Sequence, residues 1–184
     1  MVSIRIAQDY YFEKYLCWFN PKLVTHILSF RQRKDQLISF TSELLKKYYL
    51  ADYLAANPHD LEIGRTYYGK PYLLNAAYQD IDFNISHSGD YVILAVVKNA
   101  RVGIDLELQS NESGITELSQ LTFSQSECQL VGDSRENFFR LWSKKEALLK
   151  ALGVGFGGEP YLISNLNLES VEVRTYALTA NMIL

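Results

Sequence analysis

The 184 residues are 48% hydrophobic and 21% charged, an ordinary globular composition that excludes intrinsic disorder, collagen and a coiled coil. The 18 Lys and Arg residues are outnumbered by 21 Asp and Glu residues, which gives a formal net charge of -3. A chain with this balance lacks the global positive field that attracts proteins to duplex DNA, so we expect no nucleic-acid partner.

The first patterned segment is basic and helical. Between Pro21 and Tyr49, six Lys and Arg residues accompany only two acidic residues, and taken alone this favours a solvated helix face over an anion site. From Asp35 to Ala56, apolar residues recur at helical spacing, and Asn57-Pro58 ends the pattern. These features predict one long helix packed on the core.

A β region follows a predicted loop at Gly64–Leu73, which contains two glycines and a proline. Apolar residues alternate in Ile81–Ser86, whereas Tyr91–Val97 is continuously apolar and therefore reads as a central strand. Alternation returns in Val102–Leu108. The three segments predict a three-stranded meander.

The second half is mainly helical in its pattern. Ser124 and Glu127 have capping-box spacing, and Asp133 with Glu136 repeats it before the strongest helical pattern of the chain. That pattern ends at Gly153, a typical residue at a helix C-terminus. Its apolar side consists of Phe138, Leu141, Trp142, Leu148, Leu149 and Leu152. Strand-like alternation near Val171, Val173 and Thr175 completes a predicted α+β chain without βαβ repeats.

Cysteines and apolar runs indicate the compartment. Cys17 and Cys128 are too few for a disulfide scaffold and form no CxxC motif. The first residues lack an apolar signal-peptide core, and the apolar run at Tyr91–Val97 is far shorter than a membrane span. We expect a soluble, cytoplasmic protein with no membrane partner.

Asp105 and Glu107 are the first candidate ligands. On a strand their carboxylates leave the same face with Cα atoms about 6.6 Å apart, a spacing that one hard cation can bridge. Taken alone, such a pair is more often solvent-facing decoration. At this point the pair can be either a metal site or two ordinary solvent-exposed carboxylates.

Two further segments carry candidate chemistry. In the last helix Trp142, Glu146 and Lys150 share a face, while Lys145 interrupts the apolar stripe and needs an anion unless it reaches the surface. The Glu146 and Lys150 side chains could equally form an ordinary surface pair. The turn at Asn84–Gly89 is rich in hydroxyl groups and amides that can hold phosphate, although a lone turn His is more often structural.

The order of these motifs is more specific than any one of them. VGIDLE at 102–107 and FFRLWSKKEALLKALGVGF at 138–156 follow GKP at 69–71 and FNISHSG at 83–89. In this order they resemble the 4′-phosphopantetheinyl transferase superfamily, in its larger, surfactin-synthetase-activating type. The resemblance implies a pseudodimer of two similar halves, residues 1–100 and 101–184, each an antiparallel sheet packed with helices.

The resemblance also implies an activity. Such enzymes transfer the 4′-phosphopantetheine arm of coenzyme A to a serine of an apo acyl or peptidyl carrier protein, depend on Mg²⁺, and release adenosine 3′,5′-bisphosphate. The chain would then act as a monomeric holo-[acyl-carrier-protein] synthase. Two alternatives are a non-catalytic module of the same fold that binds coenzyme A or a carrier protein, and an Mg²⁺-dependent phosphohydrolase.

Site residues follow from the same resemblance. Mg²⁺ would lie on Asp105, Glu107 and Glu146, whose carboxylates are hard oxygen ligands. Glu146 and Lys150 would carry the catalysis. Glu127 would be an additional acidic residue near the metal. Coenzyme A binding is implied for Lys70, Ser86, His87, Asp105, Lys145 and Lys150.

The chain departs from the family pattern at both ends. Ile38 stands where the family usually has an arginine for the 3′-phosphate. The neighbouring Ser39 can supply a hydroxyl there as an additional site residue, and Arg31, Arg33 and Lys34 are candidates to compensate. At the other end, the chain stops at Leu184, about where a final strand is expected. Carrier proteins tend to be acidic near the modified serine, so we expect docking on the second half, near Arg135, Arg140 and Lys144.

Overall fold

The computed structural model describes residues 2–6, 9–109, 114–154 and 173–174. The strands in these ranges are β1 (Val2–Arg5), β2 (Ile63–Arg65), β3 (Pro71–Leu73), β4 (Ile81–Ser88) and β5 (Tyr91–Lys98). The helices are α1 (Asp9–Tyr15), α2 (Pro21–Leu28), α3 (Arg33–Leu44), α4 (Leu50–Tyr53), α5 (Ile115–Thr122), α6 (Gln125–Val131) and α7 (Arg135–Leu152). The α+β class is confirmed.

The main sheet has the order β1-β5-β4, with antiparallel pairing throughout. The two strands predicted at 81–86 and 91–97 are confirmed, and β5 is central, as its continuous apolar sequence predicts. One face of the sheet carries Phe83, Val92 and Leu94, which pack on the helical layer of the first half. The opposite face of β4 carries polar side chains.

The long helix predicted over 35–56 is confirmed. It begins as α3, passes through a π-helical turn at Leu45–Tyr49 and ends as α4. Its fully buried Phe40 and Leu50 attach it to two apolar clusters of the first half. A π-helical turn widens the backbone spacing locally and often occurs beside functional sites.

The loop prediction at Gly64–Leu73 was wrong in part. Strands β2 and β3 form an antiparallel hairpin in which Gly64 pairs with Tyr72. A Cβ at Gly64 would lie 2.9 Å from the exposed Tyr72 ring, so a larger residue there would require this ring to shift. Only the connection at residues 66–70 is a loop.

The meander prediction was also wrong in part, because Val102–Leu108 forms no strand. The segment is extended, but its alternate N–H groups donate to side-chain oxygens of β4 and not to the backbone carbonyl oxygens of β4. The donor and acceptor pairs are Val102 with Asp82, Ile104 with Asn84, Leu106 with Ser86 and Leu108 with Ser88. The segment therefore lies across the polar face of the sheet, and β1 supplies the third strand.

The second half follows its predicted helices closely. The Ser124 and Glu127 capping box is present at the start of α6. Helix α7 is capped by Ser134, so the predicted cap at Asp133 was one residue early. Gly153 ends α7 with a φ of 73°, as predicted. Of the strand expected near Val171, Val173 and Thr175, the structure describes only Val173, which is not in a strand, and the C-terminal end at Leu184 lies outside the described residues.

Across the ranges that the structure describes, no helix is both long and apolar enough to cross a membrane.

Gly103 fixes how the extended segment meets α7. A Cβ at this position would lie 1.9 Å from the Ala147 carbonyl oxygen and 2.4 Å from the Ala151 nitrogen. We expect Gly103→Ala to lower the free energy of unfolding by about 3 kcal/mol, the upper end of the usual cost of overpacking. Urea denaturation measures the loss.

Gly69→Ala is the matched control for this prediction. Gly69 has a φ of +86° and no heavy atom within 4 Å of a built Cβ, so it tests backbone strain without a clash. We expect it to cost about 1 to 2 kcal/mol. Equal losses for both variants would contradict the close packing of Gly103 on α7.

Candidate active site

A cleft of about 640 Å³ lies between α2 and α3 on one side and the extended segment with α7 on the other. The site residues predicted from the sequence that line it are Ser39, Ser86, His87, Asp105, Glu107, Glu146 and Lys150. The predicted Lys70, Lys145 and Glu127 lie outside this lining. The structure thus brings most of the predicted set together across the two halves.

Lys150, Asp105 and Ser86 form a connected polar cluster at the junction of three elements. The Lys150 ammonium donates to Asp105 Oδ1 at 2.6 Å and to Ser86 Oγ at 3.0 Å. The Ser86 hydroxyl donates to Asp105 Oδ1 at 3.2 Å. The Asp105 side chain is only 5% exposed, so the reading of this carboxylate as surface decoration is wrong.

Glu107 is held by Trp142, a residue whose place in the apolar stripe of α7 predicts packing alone. The Trp142 indole nitrogen donates to Glu107 Oε1 at 3.0 Å, and Trp142 lines the same cleft. A tryptophan in an apolar stripe gives no signal for such a bond, because its partner lies 35 positions earlier. The bond fixes the direction of the Glu107 carboxylate.

Burial and mutual repulsion shape the acidic groups. Burial is the main cause that raises the pKa of Glu107, followed by the Asp105 charge, while the Trp142 hydrogen bond acts in the opposite sense. Burial likewise raises the pKa of Glu146; Lys150 opposes this, and Asp105 and Glu107 reinforce it. The three carboxylates are therefore close enough to repel one another, and they concentrate negative charge in one region of the cleft.

The acidic group fits Mg²⁺ in its chemistry, although it does not form a complete cage. Among the described residues, no three His, Cys, Asp or Glu side chains converge as a ready metal site. Buried Asp105 Oδ2 and Glu146 Oε1 nevertheless lack hydrogen-bond partners, and such oxygens are costly unless something neutralises them. Mg²⁺ keeps several waters and takes few protein oxygens, which suits a partial set of carboxylates.

His87 lies on β4 at the cleft wall. Partial burial and then the Lys150 charge lower its pKa, while Asp35 acts in the opposite sense. These neighbours favour the neutral imidazole, which can donate one hydrogen bond to an anion. His26, from α2, also lines the cleft, so the first half supplies two imidazoles to it.

Lys145, which lies in the apolar stripe of α7, forms an ion pair with Glu127. Its side chain is fully buried, donates to Glu127 at 2.6 Å and lies 5.5 Å from the centre of the Phe123 ring. Glu127 also accepts from the backbone nitrogen and hydroxyl of Ser124. This pair joins α6 to α7 behind the cleft.

Lys46 and Arg65 line the cleft but were missed by the sequence analysis. Lys46 lies in the π-helical turn, its buried ammonium donates to Glu43, and Arg65 approaches Glu43 at 3.8 Å. Burial lowers the pKa of Lys46, and Glu43 opposes this effect. The basic composition of 21–49 was the available signal, but it could not show which lysines face the site.

The three cations expected to compensate for Ile38, Arg31, Arg33 and Lys34, do not line the cleft. Arg33 donates to Asp9 at 2.7 Å, and Lys34 lies 3.0 Å from Asp90. Both ion pairs lie outside the cleft lining, whereas Ile38 itself is part of it. Lys46 and Arg65 instead are the first-half cations that line the cavity.

Comparison with known proteins agrees with this arrangement. A family model described as "4'-phosphopantetheinyl transferase, N-terminal" matches residues 9–99, and one described as "4'-phosphopantetheinyl transferase superfamily" matches residues 101–181. Together the two models cover both walls of the cleft.

Curated relatives carry matching names. A putative 4'-phosphopantetheinyl transferase of Synechocystis is 30% identical over 134 residues, covering 70% of this chain and 54% of the relative. The L-aminoadipate-semialdehyde dehydrogenase-phosphopantetheinyl transferase of Schizosaccharomyces pombe is 30% identical over 168 residues, covering 78% and 65%. The human protein of the same name is 29% identical over 171 residues, covering 83% and 55%.

The matched part of this chain thus spans less than two thirds of the length of these relatives. Both family models nevertheless describe one superfamily, and they match in the order in which the two halves build the cleft. The chain belongs to the 4′-phosphopantetheinyl transferase superfamily.

Proposed function

We propose that this chain transfers the 4′-phosphopantetheine arm of coenzyme A to a serine of an apo acyl or peptidyl carrier protein. The observation that carries the proposal is the Lys150, Asp105 and Ser86 cluster, which joins both halves on the wall of the cleft beside Glu107 and Glu146. A cation, three carboxylates and hydroxyl donors in one cavity suit the transfer of a charged phosphoryl group.

Asp105, Glu107 and Glu146 would hold Mg²⁺. When bound there, the metal would neutralise charge on the pyrophosphate of coenzyme A. Lys150 is placed to share that role, because its ammonium already lies 2.6 Å from the most buried of these carboxylates. The Ser86 hydroxyl then has a phosphate oxygen as an alternative acceptor to Asp105.

Glu146 is the proposed base. Glu146 lines the cleft together with Asp105 and Lys150, so its carboxylate is placed to accept a proton from a substrate bound there. It would accept the proton of the carrier serine hydroxyl as that oxygen forms a bond to the phosphorus attached to the pantetheine arm. The bond from that phosphorus to the bridging oxygen breaks, and adenosine 3′,5′-bisphosphate leaves.

The remaining predicted residues receive different assignments. His87, Ser39 and the cleft-lining cations Lys46 and Arg65 are proposed to receive the adenosine 3′-phosphate. Lys145 and Glu127 are proposed to position α7, since their charges neutralise each other behind the cleft.

One chain supplies both walls of the cleft, which supports a monomer. The free thiols Cys17 and Cys128 support a reducing, cytoplasmic location.

The experiment measures release of adenosine 3′,5′-bisphosphate from coenzyme A and Mg²⁺, with and without an apo carrier protein. We expect release only with the carrier. Release without it would indicate a phosphohydrolase. Absence of release, with coenzyme A still bound, would indicate the non-catalytic binding module.

His87→Ala tests the assignment of the 3′-phosphate. We expect the Kd for coenzyme A to rise about 10-fold while the Kd for 3′-dephospho-coenzyme A stays nearly constant, because a hydrogen bond to a charged group contributes about 1.5 kcal/mol. Isothermal titration calorimetry with both ligands measures this. Equal losses would show that His87 contacts another part of the ligand.

The carrier is proposed to dock on the second half, where Arg140 is exposed and Lys144 lies one helical turn further along α7. Reversal of both charges, Arg140→Glu with Lys144→Glu, should raise KM for the carrier about 10-fold and leave KM for coenzyme A unchanged, because rim charges steer association. The effect should shrink in high salt. Steady-state kinetics with each substrate varied measures the two values.

The matched control reverses two exposed cations of the first half, Lys22→Glu with Arg31→Glu. It changes the net charge of the chain by the same amount. A carrier KM that responds to this control and ignores the α7 variant would move the docking surface to the first half.

A further inference from the structure

Lys70 lies where four segments of the chain meet. Its ammonium donates to Asp82 Oδ2 at 2.7 Å, to the Val102 carbonyl oxygen at 3.1 Å and to the Ala151 carbonyl oxygen at 3.0 Å. These acceptors belong to β4, the extended segment and the last turn of α7. An ammonium has three N–H groups, so all of its donors are used.

Asp82 completes the arrangement. The same oxygen that receives Lys70 also accepts the Val102 N–H at 2.7 Å. The pair of side chains therefore holds both backbone groups of Val102, and both side chains are largely buried. Charge-assisted hydrogen bonds of this kind are shorter and stronger than neutral ones, so they fix geometry well.

Ala151 is a natural partner for a cation. The last carbonyl oxygens of a helix receive no hydrogen bond from an N–H group of the same helix, and they form the negative end of the helix dipole. Lys70 satisfies one of them at the end of α7, and a Cβ built on Gly153, the residue that ends this helix, would lie 3.4 Å from the Lys70 side chain. The close approach of Gly103 to Ala147 and Ala151 joins the same two elements one residue further along.

The active-site residues begin immediately beyond these contacts. Asp105 lies three positions after Val102, and Lys150 lies one position before Ala151. Their side chains meet at 2.6 Å. A shift of the extended segment along α7 would therefore separate Asp105 from Lys150 and change the distance between Asp105 and Glu146.

We propose that Lys70 is a positioning residue that, with Asp82, sets the distance between the segment bearing Asp105 and the helix bearing Glu146 and Lys150. This inference rests on the proposed transfer reaction for its kinetic consequence. It differs from the coenzyme A contact expected for Lys70 from the family resemblance. A phosphate could bind its ammonium only in place of Asp82, Val102 or Ala151.

The kinetic test compares this chain with its Lys70→Met variant, which keeps the apolar stem and removes the donors. We expect kcat to fall about 100-fold, the effect of a misplacement of about 1 Å. The Kd values for coenzyme A and 3′-dephospho-coenzyme A should change by the same factor. A selective loss of coenzyme A affinity would overturn positioning in favour of a 3′-phosphate contact.

Asp82→Asn is the second variant, for the case that Lys70→Met does not fold. It keeps the shape and one acceptor oxygen, and we expect kcat to fall in the same direction. Because the two residues act as one unit, the double variant should lose no more than the worse single variant. Fully additive losses would contradict the proposal, as would a lower Tm with unchanged kcat in either variant.

Lys98→Met is the matched control. Lys98 faces Asp80 at 3.4 Å in an exposed pair on the same sheet, so the same substitution is made away from the junction. We expect kcat and both Kd values to equal those of wild type. A loss equal to that of Lys70→Met would show that any lysine pair of the sheet has this effect.

Amide hydrogen exchange gives a readout that does not need activity. Lys70→Met should raise exchange in residues 102–108 and in the last turn of α7, and leave the paired β1 and β5 unchanged. If wild type transfers nothing, the proposed function fails, and the exchange pattern still decides the structural part. Unchanged exchange at 102–108 would overturn the positioning role.

Discussion

Asp105→Asn should lower the transfer rate at least about 100-fold while the chain stays folded. The carboxylate is the centre of the cleft cluster, since it accepts from both Lys150 and Ser86 and keeps a second buried oxygen without a partner. Loss of a group that stabilises transition-state charge costs about 10²- to 10³-fold in kcat. Asn retains the shape and one acceptor oxygen, so the hydrogen bonds of Lys150 and Ser86 have a substitute.

Asp105→Ala is a less suitable variant. It removes one partner of a largely buried ion pair, a change that costs about 3 to 5 kcal/mol in stability. Steady-state kinetics and thermal unfolding of Asp105→Asn therefore carry the test, with the exposed Asp80→Asn as the matched control. Wild-type turnover in Asp105→Asn would contradict both roles proposed for Asp105, as a ligand of Mg²⁺ and as the partner of Lys150 in catalysis.

Glu146→Gln should lose far more turnover than affinity for coenzyme A. The amide keeps the volume of the side chain but can neither accept the serine proton nor carry negative charge. General base catalysis contributes about 10²- to 10⁴-fold, so we expect kcat to fall about 1,000-fold with Kd for coenzyme A within a few-fold of wild type. Rapid-quench kinetics and calorimetry measure the two quantities separately.

Glu136→Gln is the matched control for this prediction, because Glu136 is an exposed residue of the same helix. It should behave as wild type in both measurements. If Glu146→Gln instead weakens coenzyme A binding and leaves kcat intact, Glu146 is a binding residue and the base lies elsewhere.

Local signals in the sequence predicted the elements well. The helical spacing that ends before Asn57-Pro58, the apolar run of β5 and the Ser124 capping box each depend on neighbouring residues, and each is confirmed. The order of the motifs predicted the family, because GKP, SHSG, GIDLE and WSKKEALLK place chemistry at fixed intervals along the chain.

Contacts between distant residues could not be predicted in the same way. Alternation at Val102–Leu108 shows an extended backbone, but only the fold shows that its N–H groups meet β4 side chains twenty positions earlier. The pairing of Lys145 with Glu127 and the three bonds of Lys70 likewise join remote positions. A lysine has the same appearance in a sequence whether it holds a ligand or a carbonyl oxygen.

Intact-protein mass spectrometry of an apo carrier protein tests the proposed activity most directly. The carrier is incubated with this chain, coenzyme A and Mg²⁺, and its modified serine is located by fragmentation. We predict a mass increase equal to one phosphopantetheine arm on that serine, lost in Glu146→Gln and retained in Glu136→Gln. A carrier of unchanged mass in the presence of folded, coenzyme A-binding wild type would contradict the proposed transfer.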